Sequence, residues 1–167
     1  TAAKVSKFSF ERFGFSNVRI LNLDENNLLK GNYFNKFKRN GKIVSYDPTD
    51  LQSFTLLRFY PPAIQKDGYA MIIDPDIFAL KNFENEMEDI AKNGRELFCT
   101  KKNGRIKSEV MLINCKNFNL WNFNNIIDDL FNFKIDYSDL INLNFIDNNK
   151  ISLIDENFNS HDSINKD

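Results

Sequence analysis

Hydrophobic positions recur along the chain at two different spacings, one helical and one strand-like. In residues 2–13, Val5, Phe8 and Phe13 stand among Lys, Ser and Glu, which predicts a short amphipathic helix closed by Gly14. Val18-Arg-Ile-Leu-Asn-Leu23 then alternates as a strand does. Residues 24–47 are polar, rich in Asn, Gly and Lys, and read as a loop anchored by Leu28 and Leu29. A helix is expected over 49–60: Thr49-Asp-Leu-Gln52 fits a capping box, and Pro61-Pro62 stops it because proline lacks an amide donor. Tyr69-Ala-Met-Ile-Ile-Asp74 is the most strand-like segment, and Ile77-Phe-Ala-Leu80 follows Pro75 as a short strand or turn. Residues 82–92 read as a helix capped by Asn82 and closed near Asn93-Gly94. Two strands, Glu96–Thr100 and Glu109–Asn114, are expected around a basic loop, Lys101–Arg105. A long helix over 116–132 aligns Leu120, Phe123, Ile126, Ile127 and Leu130 on one stripe; a short helix near 136–143 and a strand at Ile151–Ile154 follow.

Strands alternating with helices predict an α/β fold with a mixed, mostly parallel sheet flanked by helices. No repeat or linker divides the chain, so residues 1–167 are expected to form a single domain. At 167 residues the chain is long enough to bury a core without disulfides or metals. The 25 Asn residues are spread through periodic segments, which points to biased coding rather than a low-complexity tract.

Charge narrows the function classes. Twenty-two Lys and Arg against 23 Asp and Glu leave a net charge of -1, with no general electrostatic case for nucleic acid or an anionic membrane. No apolar run approaches the roughly 20 residues of a membrane span, so no transmembrane segment is expected. The start lacks a basic end followed by an apolar block, so a cytoplasmic location is expected. Cys99 and Cys115 match no metal spacing and read as two buried thiols in a reducing compartment.

Asp74-Pro75-Asp76 is the first candidate for chemistry. One such pair is expected by chance among 15 Asp, so its position matters more than its pattern. The pair follows an apolar strand, at the sheet end where open α/β folds bind ligands. Two carboxylates there would repel each other and a phosphate, and a Mg²⁺ or Mn²⁺ ion would relieve both repulsions. The plainer alternative is an Asp-Pro turn whose carboxylates accept backbone amides. Arg58 falls on the apolar stripe with Leu51 and Phe54, where a charge needs a partner: Asp74, Asp76 or a phosphate. The alternative is an arginine that buries its stem and wets its head. His161, with Asn159 and Asp162, could orient a sugar or ligate a metal, or simply sit on the surface. With one histidine and no Gly-x-Ser-x-Gly or reactive-cysteine context, a serine or cysteine hydrolase is not expected. Lys101–Arg105 reads as a solvated turn or as a loop over an anionic donor; the Phe, Tyr and Trp121 rings read as core.

Four blocks in order carry a family likeness. Phe54-Thr-Leu-Leu-Arg58-Phe-Tyr-Pro61-Pro and Tyr69–Leu80 resemble the core of nucleotide-sugar glycosyltransferases of the GT-A fold, in particular the family 8-like group. Ser108–Asn114 resembles that group's acceptor-side strand, and Ile151–Asp162 a later segment. The resemblance implies a metal-dependent hexosyltransferase that moves a sugar from a nucleotide donor, UDP-linked, to a carbohydrate or lipid-linked acceptor. It implies that Asp74 and Asp76 hold Mn²⁺ or Mg²⁺ against the donor diphosphate, Asp76 more firmly, with Asp74 and Arg58 facing the nucleotide or donor sugar. Ser108 and Glu109 would border the sugar and acceptor site, and Asn159 and Asp162 would line its far side. It also implies a chain truncated at both ends, the family's first strand being absent or lying before Thr1 and its late metal-binding His falling after Asp167, and a place peripheral to the inner membrane. Glu109 stands where the group has a small residue, and no metal role carries over to His161. Two other classes stay open: a catalytically inactive GT-A-like binding or assembly module, and a metal-dependent phosphoesterase using the same carboxylates.

Overall fold

A computed structural model describes residues 2–22, 35–50, 53–116 and 118–160. A helix, Ala2–Arg12, opens the chain. A hairpin follows, β1 (Lys36–Arg39) and β2 (Lys42–Ser45). A 3-10 helix over Ser53–Phe59 leads into the short helix Pro61–Ile64, where Pro61 takes the first helical position because its missing N–H has no partner there anyway. Then come β3 (Tyr69–Ile73), a helix over Glu84–Ala91, β4 (Leu97–Lys102), β5 (Arg105–Asn114), helices over Phe123–Phe131 and Tyr137–Asn142, and β6 (Ile151–Leu153). A 3-10 turn, Glu156–Asn159, ends the described chain.

The main sheet has the order β3-β5-β4-β6. It is mixed, as expected, but not mostly parallel: β5 runs antiparallel to both β3 and β4, and only β4 and β6 are parallel. The cause is local. Asn103 and Gly104 both adopt positive φ (51° and 75°), the two-residue turn that joins strands as a tight hairpin, so β4 and β5 can only be antiparallel. The basic stretch 101–105 is therefore the tip of this hairpin and not an open loop.

Alternating side chains give the sheet two apolar faces. Leu97, Cys99, Met111, Ile113 and Ile151 pack with the 53–59 turn and the two helices Phe123–Phe131 and Tyr137–Asn142. Phe98, Val110, Leu112 and Ile154 face the other way, toward Met87, Ile90 and Phe158. Helices thus flank the sheet on both sides, and both thiols are buried. The opening helix is fastened to the segment after Asp76: Ser6 Oγ donates to the Ile77 carbonyl (2.6 Å), and the Ala79 amide donates to Ser9 Oγ (3.0 Å).

Several boundaries differ from expectation. Residues 18–22 form no strand, and Leu23 lies outside the described residues, as do Leu28, Leu29, Leu51 and Gln52. Part of the expected 24–47 loop is the β1–β2 hairpin, turned by Asn40-Gly41. The expected 49–60 helix is a 3-10 segment beginning at Ser53, and the Thr49 hydroxyl donates to Asp47 (2.7 Å) in a local turn. Residues 77–80 are irregular, neither strand nor turn, the turn lying just before them at Pro75-Asp76. The 116–132 helix begins only at Phe123, because the Asn122 side chain accepts the amides of Asn124 and Asn125 and caps it there. Among the described residues no helix is long and apolar enough to cross a membrane.

Candidate functional site

The carboxyl end of β3 delivers Asp74 and, past Pro75, Asp76. The β3–β5 ladder continues one step beyond the strand, with the Asp74 amide donating to the Glu109 carbonyl (3.1 Å). That step sets Ser108 and Glu109 of β5 beside Asp74. The neighbouring ladder is irregular here: Cys99 pairs with Met111, but Thr100 pairs with Lys107, so Ser108–Val110 have no counterpart across β4. Extra residues of this kind bend a strand and re-aim its side chains.

Arg58, at the end of the 53–59 turn, is buried and reaches this point. Its Nε and Nη2 donate to the two oxygens of Asp74 (2.8 and 2.5 Å), and its Nη1 donates to Ser108 Oγ (2.7 Å). The guanidinium therefore finds the carboxylate partner that a buried charge requires, in the two-pronged geometry arginine favours. From the opposite side, Asn159 Nδ2 donates to Glu109 Oε2 (2.8 Å) and approaches Thr100 Oγ1 (3.5 Å). Burial pushes the Asp74 carboxyl up to about 6 against the pull of Arg58, and the negative fields of Glu109 and Asp76 push the same way. Of the three carboxylates gathered here, only Asp74 is bonded to the guanidinium. Asp76 itself is exposed.

Six of the seven sequence-derived site residues meet here. Arg58, Asp74, Ser108, Glu109 and Asn159 are joined through hydrogen bonds, with Asp76 on the outer side; Asp162, like His161, lies outside the described residues. Thr100, buried at the irregular step of β4, was not anticipated, because a lone threonine in a strand carries no cue of its own. Nor were Ser6 and Ser9, whose three-residue spacing on one helix face was the available signal.

The donor set can be tested against a divalent ion. Among the described residues no three His, Cys, Asp or Glu side chains form a metal cage. A Mg²⁺ or Mn²⁺ ion asks for less: one or two carboxylates, with water and substrate phosphate completing its sphere. Asp76 has an exposed carboxylate for such an ion, whereas both Asp74 oxygens are engaged by Arg58 and offer it only their second lone pairs.

A cavity of about 590 Å³ adjoins the site, between β3 and the segment around residues 15–21, with Arg58, Asp74, Pro75, Met71, Ile73 and Met87 among its lining. A second cleft, of about 520 Å³, runs out from Glu109 along the β4–β5 hairpin. No family model, curated protein or solved structure matches the chain.

Proposed function

We propose that the protein is a metal-dependent glycosyltransferase of the GT-A fold, family 8-like, moving a sugar from a nucleotide donor, UDP-linked, to a glycan or other acceptor. The observation that carries this reading is the strand-end pair Asp74 and Asp76, braced by Arg58 and flanked by Ser108, Glu109 and Asn159. The adjoining cavity falls in the size range of small-ligand sites, and its lining mixes apolar side chains such as Met71, Ile73 and Met87 with polar ones that include Arg58 and Asp74.

In this reading Asp76 and Asp74 hold Mn²⁺ or Mg²⁺. When bound, the ion supplies Lewis-acid stabilisation of the charge that gathers on the departing nucleoside diphosphate. The protein's own residues do the positioning. Arg58 spends its fork on Asp74 and Ser108, so it fixes the Asp74 carboxylate in one orientation and meets the donor only at its edge. The Ser108 and Glu109 backbone forms the floor, and Asn159 ties the Glu109 side chain to the 156–159 turn, which orients a carboxylate beside the acceptor. The anomeric bond to diphosphate breaks with its electron pair leaving on phosphate oxygen, while the acceptor oxygen forms the new bond and releases its proton.

Titration calorimetry of UDP with Mn²⁺, repeated with EDTA and with Asp76→Asn, tests the reading. Binding that needs both the ion and Asp76 is expected. Binding indifferent to either, or none at all, refutes it. A non-catalytic binding module is the second reading, favoured by the engagement of both Asp74 oxygens by Arg58. Metal-dependent UDP binding with neither donor hydrolysis nor transfer selects it.

A further inference from the structure

The β4–β5 hairpin carries Lys101, Lys102, Arg105 and Lys107 within seven residues, and Glu109 is the first acid that follows. Among the described residues none of these four cations joins an ion pair with an acidic side chain. Their arrangement works against the hairpin. Lys102 and Arg105 are direct cross-strand partners, and like charges so placed repel. Arg105, Lys107 and Glu109 alternate along one face of β5. Together with Lys102 and Asn103 they line the 520 Å³ cleft, and Glu109 ties the cleft to the site, its carbonyl accepting the Asp74 amide. Lys107 is half-buried and held, its Nζ donating to Asn142 Oδ1 (3.2 Å). A chain of net charge -1 has thus gathered unneutralised cations along one groove that leads away from its site.

We infer that this groove is the subsite for a phosphate-bearing acceptor: Lys102, Arg105 and Lys107 take a phosphate group while the acceptor's other end lies at Glu109. The inference rests on the glycosyltransferase reading for the word acceptor, but not for the anion. Four residue steps of β5 lead from Arg105 to Glu109, about 13 Å at the usual rise, which is room for a short saccharide between the two ends. Phosphate suits the cluster because it accepts a two-pronged arginine contact together with the point charges of lysine. A bound phosphate would also relieve the repulsion between Lys102 and Arg105.

The test uses the full chain, labelled with ¹⁵N, and three probes: maltose, maltose 1-phosphate and inorganic phosphate. Maltose 1-phosphate is expected to bind about tenfold more tightly than either of the others, since charge-assisted bonds to phosphate are the stronger kind. It should shift the amides of residues 102–107. That preference should disappear in Lys102→Ser/Arg105→Ser, a change confined to the hairpin tip. Should that variant fail to fold, the unaltered chain at about 0.5 M salt serves instead, because a Debye length of a few Å screens the same contacts. Equal affinity for maltose and its phosphate overturns the inference, as does a preference that survives the substitution or the salt. Inorganic phosphate binding as tightly as the sugar phosphate overturns the saccharide part and leaves a plain anion site. UDP with Mn²⁺ is titrated in parallel. UDP binding without a sugar-phosphate preference refutes this inference alone, whereas a sugar-phosphate preference without UDP binding upholds the phosphate groove and refutes the glycosyltransferase reading.

Discussion

Replacing Arg58 by Met isolates the electrostatics of the site from its shape, because methionine can fill much of the space of the arginine stem. The guanidinium makes three hydrogen bonds, and its side chain and that of Asp74 are only 8% and 13% exposed. Removing one member of a buried pair typically costs about 3–5 kcal/mol, because the other charge is left without compensation. The slight exposure of Asp74 argues for the lower end, about 3 kcal/mol at pH 8. The pH dependence carries the diagnosis. In the parent chain the Asp74 carboxyl sits at about 6, above its ordinary value of 3.8. The folded state therefore holds more protons than the unfolded one between those values, and this contribution to stability is fully present at low pH and lost as pH rises through 6. Without Arg58 the carboxyl rises further, so at pH 5 the variant buries a neutral acid. Only lost hydrogen bonds and packing then remain, about 1 kcal/mol. Urea unfolding at pH 5 and pH 8 should show the cost growing with pH, and the double variant Arg58→Met/Asp74→Asn should recover about 1–2 kcal/mol at pH 8. A cost equal at both pH values, or a double variant no more stable than the single one, would refute the reasoning.

The same carboxyl predicts how the ion should behave: calorimetric UDP affinity in the presence of Mn²⁺ should fall as pH drops below about 6, since a proton and a cation compete for Asp74. Asp136 accepts the amides of Asn40 (3.0 Å), Gly41 (2.8 Å) and Ser138 (2.8 Å). Burial pushes its carboxyl up, but these bonds outweigh burial and hold it below its ordinary value, so its stabilisation is present near neutrality and fades as acid protonates it. Asp136→Ala should cost about 1–2 kcal/mol by urea melts at pH 7 and progressively less in acid. Leu140 has no exposed surface, and Leu140→Ala should lower stability by about 2–5 kcal/mol, readable as a Tm drop of roughly 2–4 °C for each kcal/mol.

Legibility in the sequence was uneven for physical reasons. β3 and β5 announce themselves as short apolar runs, because both faces of the sheet are covered, and the stripe Phe123, Ile126, Ile127 and Leu130 by its helical period, because one face of that helix is buried. The direction of β5 was also written in the chain, as Asn103-Gly104, a pair that tolerates positive φ; reading 101–105 as a basic loop passed over it. Asn40-Gly41 carried the same signal for the β1–β2 hairpin. The Arg58 to Asp74 pair was within reach because a charge on an apolar stripe needs a nearby opposite charge. That Ser108 would take the remaining arm, and Asn159 the Glu109 carboxylate, depends on the irregular β4–β5 register, which no local pattern encodes. The late start of the helix at Phe123 turns on one capping side chain, Asn122, in a stretch with several asparagines.

The parallel pairing of β4 with β6 also bears on how the protein is made. β6 is three residues long, and it covers the outer edge of the fully buried Leu97–Cys99. Roughly fifty residues separate the two strands, so at ribosomal rates of about 5–20 residues per second that edge waits for seconds before its cover emerges. During that interval an apolar strand edge is open to any extended chain that meets it, including the same segment of a neighbouring nascent copy. Shielding by chaperones on the ribosome therefore matters most between the emergence of Cys99 and that of Leu153.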